Sequence, residues 1–255
     1  MGNINYFKDF YDNHESYIFR RDKNSNFRKK YLEEIDEWKC KYLSELVNDI
    51  TLKSLLEVGC ATGDVIGRWK IRTPMKSRFG IDLSNKNIEF AKSIYPEVNF
   101  YTNTLDEFLL NNNKLLLDCI LFCDVIEHVE DDCGLLKKAG EKSKYVLLNL
   151  PLEKCWRTRN RNYGKNDYAG HLRAYDIKDC YQLIENAGLK IIKYIHRSYI
   201  KEPIYWRHFK EELFKQEKAI HPIASLRFLK HTLYARILPN LYGGFNFFGL
   251  LSKKC

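Results

Sequence analysis

Residues 55–63 constrain the fold of this chain more than any other segment, because an apolar run leads directly into a glycine-rich turn. The segment reads Leu-Leu-Glu-Val-Gly-Cys-Ala-Thr-Gly. Gly59 and Gly63 can adopt positive φ and leave no Cβ between the main chain and a ligand. A helix that begins at Thr62 or Asp64 would direct its free N–H groups toward that ligand. A plain strand-to-helix turn also uses glycine, so the interpretation depends on the elements that follow.

A second short apolar run ends in an acidic residue. Residues 78–83 read Arg-Phe-Gly-Ile-Asp-Leu, and Asp82 follows Gly59 by about twenty residues, which suits one strand–helix–strand unit. A carboxylate at the tip of the second parallel strand can accept both hydroxyl groups of a ribose. The alternative is that Asp82 caps the next helix, but Ser84 is better placed for that cap. We therefore predict that Asp82 binds a ribose.

A third run, at residues 123–129, places polar side chains after another strand. It reads Cys-Asp-Val-Ile-Glu-His-Val, and the strand before it is apolar enough to lie between two helical layers. Asp124 then lies at the carboxyl edge of the sheet, where open parallel sheets bind their ligands. We expect Glu127 and His128 to project toward the same edge.

These motifs resemble the class I S-adenosylmethionine-dependent methyltransferases. The glycine loop at 57–63, the acid Asp82, the run at 123–129 and the alternation of strands with helices carry the resemblance, which covers roughly residues 30–200 and a last strand near 245–252. The type 11, 12 and 23 methyltransferase domains and the quinone-pathway O-methyltransferases are similar in these motifs. A dehydrogenase would more often show Gly-x-Gly-x-x-Gly in its loop.

The resemblance implies an α/β fold: a doubly wound, Rossmann-like, seven-stranded, mostly parallel sheet with helices on both faces and a helical lid insertion before the last strand. The apolar runs place the predicted strands at 54–58, 78–82, 97–102, 117–123, 144–149, 189–197 and 245–252. A helix is predicted over 30–47. We expect one methyltransferase domain over 1–255, with an N-terminal cap and helix at 1–50, a cofactor-binding core at 51–199, the lid at 200–242 and the last strand at 243–255.

The resemblance also implies S-adenosylmethionine as the cofactor. The residues that match cofactor-binding positions are Glu57, Gly59, Cys60, Ala61, Gly63, Asp82, Leu83, Asn103, Thr104, Cys123 and Asp124. Asn103 or Thr104 would contact the adenine ring, although either residue could instead cap the helix that begins at Leu105. Ala61 departs from the family pattern, since many members have glycine there, but alanine is a small change that should leave cofactor binding intact.

His128 and His171 are the candidate catalytic residues. The unperturbed imidazole pKa of about 6.5 lets His128 accept the proton of an attacking hydroxyl group. His171 precedes a helix that Asp176 caps and Gly188 ends, so it lies on a connection that closes over the acceptor pocket in doubly wound methyltransferases. The alternative is a histidine that only hydrogen-bonds a loop.

Four of these residues also resemble a divalent-metal site. Asp124, Glu127, His128 and His171 look like the metal set of small-RNA 2′-O-methyltransferases and of some quinone-pathway O-methyltransferases. Two carboxylates and two imidazoles could hold Mg²⁺, Mn²⁺ or Zn²⁺. Many relatives carry the Glu-His pair without a metal, and the first position is often Glu where this chain has Asp124. We therefore assign no metal ligand, and a site formed by these four residues is the alternative.

Charge and cysteine content bear on partners and compartment. The formal net charge is +9, in local clusters such as 20–23, 28–30 and 157–165. No RNA-binding module is recognisable, so nucleic acid is not the favoured partner, and an anionic small substrate would use the same field. The eight cysteines form no Cys-x-x-Cys pair, which favours a reducing compartment. With no apolar signal core and no membrane-length run, we expect a cytoplasmic protein.

Two aromatic, charged segments flank the core. Residues 1–28 are predicted to fold over the cofactor mouth, the alternative being a frayed leader. The insertion at 200–242 interleaves aromatic with basic side chains and is predicted to form the substrate lid. Amphipathic helices of this kind can also rest on an anionic membrane, so peripheral membrane contact stays open.

The predicted activity is methyl transfer to an oxygen, less so to a nitrogen, of a small-molecule or glycan-type acceptor. Oxygen is favoured because Asp124 is followed by Val-Ile-Glu-His instead of the Pro-Pro-Tyr segment typical of amide and adenine methylation. One alternative is a metal-dependent RNA 2′-O-methyltransferase. The other is a non-catalytic S-adenosylmethionine-binding interaction protein.

Overall fold

Seven strands form the centre of the computed structural model, which describes residues 2–69, 75–164, 167–216 and 243–254 and the isolated positions 229, 233, 234 and 237. The strands are β1 Ser54–Val58, β2 Ser77–Asp82, β3 Asn99–Thr102, β4 Leu117–Cys123, β5 Ser143–Leu152, β6 Leu189–Ser198 and β7 Phe245–Lys253. They belong to one sheet in the order β3-β2-β1-β4-β5-β7-β6. The predicted seven-stranded sheet is confirmed.

The sheet is parallel from β3 to β5 and antiparallel at β7. The register places Leu56 of β1 beside Phe79 of β2 on one side and Ile120 of β4 on the other. Strand β7 lies antiparallel between β5 and β6. Because the order reverses between β1 and β4, the loops after these two strands diverge and leave a crevice at the carboxyl edge of the sheet.

Ten α-helices surround the sheet in the described part of the chain. They are α1 Gly2–Asn13, α2 Glu15–Arg21, α3 Asn26–Glu34, α4 Lys41–Leu46, α5 Asp64–Arg68, α6 Asn85–Ile94, α7 Leu105–Asn111, α8 Asp132–Lys142, α9 Ile177–Asn186 and α10 Pro203–Gln216. Ser84, Thr104 and Asp176 cap α6, α7 and α9 with their side chains. The caps predicted for Ser84 and Asp176 are therefore correct.

Alternate residues of the central strands face two separate cores. Leu55, Cys119 and Leu121 belong to the core under α4, α5 and α6. Leu56 and Ile120 belong to the core under α7, α8 and α9. Both faces of the sheet are buried, which explains why β1 and β4 read as continuous apolar runs in the sequence.

The helix predicted over 30–47 differs from the prediction. It begins four residues earlier, as α3, and a π-helical segment at Ile35–Cys40 joins α3 to α4. Trp38, Lys39 and Cys40 are all buried. Three consecutive residues of a regular α-helix do not share one face, and the wider π-helical turn accommodates them, as it often does at functional sites.

The two segments that flank the core are described to different extents. Helices α1 and α2 pack against α6, where the Arg21 guanidinium donates to the Asn87 side chain at 2.5 Å and to the Asp12 main-chain oxygen at 2.6 Å. Of the lid predicted over 200–242, α10 is described, and most of residues 217–242 lie outside the described part of the chain. No helix among the described residues is long and apolar enough to cross a bilayer.

Candidate active site

The glycine loop between β1 and α5 turns through three left-handed positions, and a fourth lies on the loop after β4. Gly59, Ala61 and Gly63 have φ of 69°, 46° and 74°, and Asp124 on the neighbouring loop has φ of 55°. A Cβ at Gly59 would lie 2.7 Å from Cγ2 of Val125. Glycine is therefore required by the turn and by a neighbouring side chain, in addition to the ligand approach that the sequence suggested. Ala61 therefore holds a left-handed φ that glycine would adopt without strain.

Asp82, at the end of β2, is tied to the glycine loop. Its Oδ2 accepts the Ala61 N–H at 2.9 Å and its Oδ1 accepts the Ser84 N–H at 2.8 Å. The carboxylate is buried, and burial raises its pKa above the ordinary value although the two N–H donors lower it. Since each carboxylate oxygen can accept a further hydrogen bond, Asp82 retains capacity for a diol.

Two adjacent cavities open at this edge of the sheet. The first cavity has a volume of about 320 Å³ and is largely apolar, with Asp82 among its lining residues. The second cavity has a volume of about 330 Å³ and is lined by many charged side chains. The residues common to both linings are Tyr17, Gly59, Ala61, Asp124 and His128. Aromatic residues of α1 and α2 cover the first cavity, namely Phe7, Tyr11 and Tyr17.

Lys39, on the π-helical segment, is a site residue that the sequence reasoning missed. Its Nζ lies 2.5 Å from Oδ2 of Asp124, and both residues line the second cavity. Burial would lower the pKa of Lys39, but the Asp124 carboxylate raises it well above the ordinary value. The Asn149 amide also donates to Asp124 Oδ1 at 2.8 Å. The sequence signal for this residue was a lysine at a position that falls on the apolar face of the predicted helix, four residues after Ile35 and three before Tyr42.

His128 lies in the short turn Ile126–His128 after β4, where both cavities meet. Its Nδ1 is 3.0 Å from the Gly170 carbonyl oxygen. Because a carbonyl only accepts, Nδ1 carries the proton and Nε2 keeps its lone pair. Burial, and then the nearby His171, lower the pKa of His128 to about 4. His128 is therefore neutral at physiological pH.

His171 is held by a chain of charged side chains that are partly or fully buried. Its Nδ1 donates to Glu153 Oε2 at 2.7 Å, and Arg161 donates to the same oxygen at 2.8 Å. Arg161 also grips Asp167 through two hydrogen bonds, of 2.6 and 2.7 Å. Burial would raise the pKa of Glu153, but His171 and Arg161 lower it, so Glu153 stays ionised. The rings of His128 and His171 lie 4.6 Å apart, edge to face.

Three of the four residues of the predicted metal set converge. One ligand atom each of Glu127, His128 and His171 lies within 4.8 Å of the others. Asp124 does not join them, because Lys39 and Asn149 hold its carboxylate. Both oxygens of the buried Glu127 carboxyl group lack a hydrogen-bond partner among the described residues. Burial and the Asp124 charge raise the pKa of Glu127 well above its ordinary range.

The remaining predicted residues divide between the two cavities. Leu83, Asn103 and Thr104 line the first cavity, whereas Glu57, Cys60 and Cys123 line the second. Gly63 lines neither of them, and a Cβ there would lie 2.6 Å from Cζ of Phe100.

The side chains of Thr104 and Glu57 are already engaged within the protein. Thr104 uses its hydroxyl and its N–H in a capping box with Glu107, and the Asn103 side chain also hydrogen-bonds Glu107. Glu57 accepts the Ile66 N–H at 3.0 Å, and burial raises its pKa to about 8.

Comparison with known proteins defines the class. A family model described as a methyltransferase domain matches residues 28–194. A ubiquinone biosynthesis O-methyltransferase of Nitrosomonas europaea is 29% identical over 137 residues, which cover 50% of this chain and 57% of that relative. The match thus spans little more than half the length of this curated relative.

Solved structures share the fold at low sequence identity. The complex of the Haloferax volcanii Trm112 methyltransferase activator with a methyltransferase matches with a TM-score of 0.61, 10% identity, and coverage of 95% of this chain and 99% of that chain. A cyclopropane synthase of Mycobacterium tuberculosis matches with a TM-score of 0.58 and 13% identity, and the match covers 98% of this chain and 98% of that chain. The magnesium protoporphyrin IX methyltransferase of Synechocystis PCC 6803 with bound S-adenosylmethionine matches with a TM-score of 0.53 and 16% identity. The match covers 78% of this chain and 91% of that chain.

Fold, site and family model agree on one class, the S-adenosylmethionine-dependent methyltransferases of class I. The chain belongs to the methyltransferase domain family, whose model covers well over half of its residues.

Proposed function

We propose that this chain transfers the methyl group of S-adenosylmethionine to an oxygen of a small-molecule or glycan-type acceptor. The observation that carries the proposal is the position of His128, which lines both cavities and turns an unprotonated Nε2 away from the Gly170 carbonyl. A methyl donor in one cavity and an acceptor in the other would meet beside this nitrogen. The O-methyltransferase relative supports oxygen as the acceptor atom.

The first cavity suits the adenosine part of the cofactor. Its apolar lining can cover the base, Asn103 can hydrogen-bond the adenine edge, and Asp82 can accept the ribose hydroxyls. The shared residues Gly59 and Ala61 leave a path from there to Lys39 in the second cavity. Asp124, whose carboxylate Lys39 and Asn149 hold in place, would bind the ammonium group of the methionine part. When bound, S-adenosylmethionine supplies the electrophilic methyl group.

The second cavity suits the acceptor, with two imidazoles to manage its proton. His128 is neutral, so it can accept a hydrogen bond from the acceptor hydroxyl at physiological pH. His171 points Nδ1–H at the ionised Glu153, and its Nε2 is left to take the proton. A carboxylate behind the imidazole stabilises the positive charge that forms as the hydroxyl attacks. Positioning of the two reactants supplies most of the acceleration.

A metal-assisted version of the same reaction is the second candidate. The convergence of Glu127, His128 and His171, with both Glu127 oxygens unsatisfied, supports it. An ion held there would require Glu127 to ionise. RNA is less well supported as the acceptor. Arg28 and Lys39 form buried ion pairs with Asp64 and Asp124, so their charges are not available to bind phosphates of RNA.

The test measures methyl transfer from labelled S-adenosylmethionine to fractionated small molecules, to glycans and to RNA, with and without chelator. We expect label in a small-molecule or glycan fraction, and a loss of about 10²–10⁴ in rate for His128→Gln or His171→Gln with S-adenosylhomocysteine binding retained. Chelator sensitivity restored by Mg²⁺, Mn²⁺ or Zn²⁺ would select the metal-assisted version. Cofactor binding without transfer to any fraction would select the non-catalytic alternative and end the proposal.

A further inference from the structure

The second cavity is lined by a guanidinium with a buried Nε, and no carboxylate of the described residues pairs with it directly. Arg20, in the last turn of α2, lines this cavity. Its Nε has no hydrogen-bond partner in the part of the chain that the structure describes. Its NH1 lies 3.4 Å from the Tyr31 hydroxyl, a long contact between neutral acceptor and cation. An unsatisfied buried donor on a charged group costs more free energy than a neutral one, so such a group calls for a partner.

The arrangement holds the guanidinium in place. Its Cζ lies 4.7 Å from the ring centre of Tyr17 and 4.2 Å from that of Tyr31. The main-chain oxygen of Arg20 accepts a hydrogen bond of 2.7 Å from Arg28, which is itself anchored on Asp64 at 2.7 Å. Stacking against aromatic faces suits the planar guanidinium and leaves its edge, with the N–H groups, available to a ligand.

The other buried cations of the site differ from Arg20. Arg28 meets Asp64, Lys39 meets Asp124, and Arg161 meets both Asp167 and Glu153. Among the described residues, Arg20 forms no ion pair of this kind. Each of the three paired cations is satisfied by the protein, whereas no described residue supplies a carboxylate to Arg20, so a ligand can supply it.

The nearby acids do not fill this role. Glu34 and Asp124 contribute to raising the pKa of Arg20, against the lowering effect of burial. Asp124, however, is engaged by Lys39 at 2.5 Å, and the Glu34 carboxylate accepts a hydrogen bond from Tyr199. Arg20 thus remains charged, and its Nε–H has no acceptor among the residues that the structure describes.

We propose that Arg20 is the binding residue for an anionic oxygen group, a carboxylate or a phosphate, of a ligand in the second cavity. A guanidinium edge binds such groups through parallel hydrogen bonds. This inference rests on the proposed function, because the two sources of such a group are the methionine carboxylate of the cofactor and an acidic acceptor. It would make the enzyme select ligands by an anion held beside the two histidines.

Calorimetry on the full chain separates the two sources. S-adenosylhomocysteine carries the carboxylate, and 5′-deoxy-5′-methylthioadenosine has the same adenosine thioether without the amino acid. If Arg20 binds the cofactor, Arg20→Gln lowers the affinity for S-adenosylhomocysteine by about tenfold or more and leaves the affinity for methylthioadenosine unchanged. If it binds the acceptor, S-adenosylhomocysteine is unchanged, and the saturated wild-type complex binds benzoate or inorganic phosphate whereas the saturated Arg20→Gln complex does not.

Two further variants control the interpretation. Arg159→Gln removes an exposed positive charge that lines neither cavity, and it should change these affinities by less than about twofold, since solvent screens it. Arg20→Lys keeps the positive charge and the aliphatic stem but not the planar guanidinium, and it should show an intermediate loss of affinity. It replaces Arg20→Gln as the test if thermal unfolding shows that Arg20→Gln is unstable. Equal S-adenosylhomocysteine affinity in wild type and both Arg20 variants, with no anion binding to the wild-type complex, overturns the inference. Failure of the wild type to bind S-adenosylhomocysteine would instead refute the proposed function.

Discussion

Replacing Glu153 by Gln tests whether the charge behind His171 contributes to proton transfer. Glu153 Oε2 accepts both His171 Nδ1, at 2.7 Å, and Arg161 NH1, at 2.8 Å. A Gln carbonyl oxygen in that position keeps both hydrogen bonds and the His171 tautomer but loses the negative charge. Hydrogen bonds to charged groups contribute about 1.5–3 kcal/mol and neutral ones about 0.5–1.5 kcal/mol. The difference of about 1–2 kcal/mol corresponds to a fall in kcat of about 5- to 30-fold.

The assay is steady-state turnover at saturating cofactor, with S-adenosylhomocysteine affinity measured in parallel. A positioning role lowers kcat and leaves KM and cofactor affinity nearly unchanged. Glu97→Gln is the matched control, because it makes the same change at an exposed carboxylate that pairs with Arg78 at 3.2 Å. If Glu153→Gln retains wild-type kcat, or if KM and thermal stability carry the whole effect, Glu153 serves only to hold the loop.

Three further predictions concern the cofactor site and the stability of the fold. Asp82→Ala should weaken the binding free energy of S-adenosylhomocysteine by about 1.5–3 kcal/mol in calorimetry. An unchanged affinity would show that Asp82 does not contact the cofactor. Asp64→Asn leaves Arg28 buried without a carboxylate and should lower the unfolding free energy by about 3–5 kcal/mol in urea titrations; a loss below about 1 kcal/mol would contradict this. His128 has a pKa of about 4 in the folded protein and an ordinary pKa of 6.5 in the unfolded chain. As the pH falls, the unfolded chain therefore becomes protonated at His128 before the folded protein does. Wild type should therefore lose about 3 kcal/mol relative to His128→Gln as pH falls from 6.5 to 4, and parallel pH profiles would disprove it.

The sheet was predictable because its signals are local. Each buried strand is a continuous apolar run, and β1, β4 and β7 begin within one residue of the predicted positions. Residues that follow a strand directly were placed well for the same reason. Asp82, Asp124 and His128 all lie at the carboxyl edge, where parallel strands bring their ends together.

The rest of the site depends on contacts between distant segments. Glu153 and Arg161 meet His171 through the packing of one irregular loop, and no spacing in the sequence reports it. Arg20 and Arg28 read as members of basic surface clusters, yet tertiary packing turns both inward. Charge type can be read from a sequence, but the direction of a long side chain is decided by its neighbours.

The acceptor atom is the central claim, and product analysis tests it most directly. The protein is incubated with S-adenosylmethionine that carries a deuterated methyl group and with a fractionated small-molecule and glycan extract, and the new products are analysed by mass spectrometry and NMR. We predict a product with one deuterated methyl group bonded to oxygen, formed by wild type and strongly reduced in His171→Gln. A deuterated methyl group found on nitrogen or carbon, or found only in RNA, would contradict the assignment.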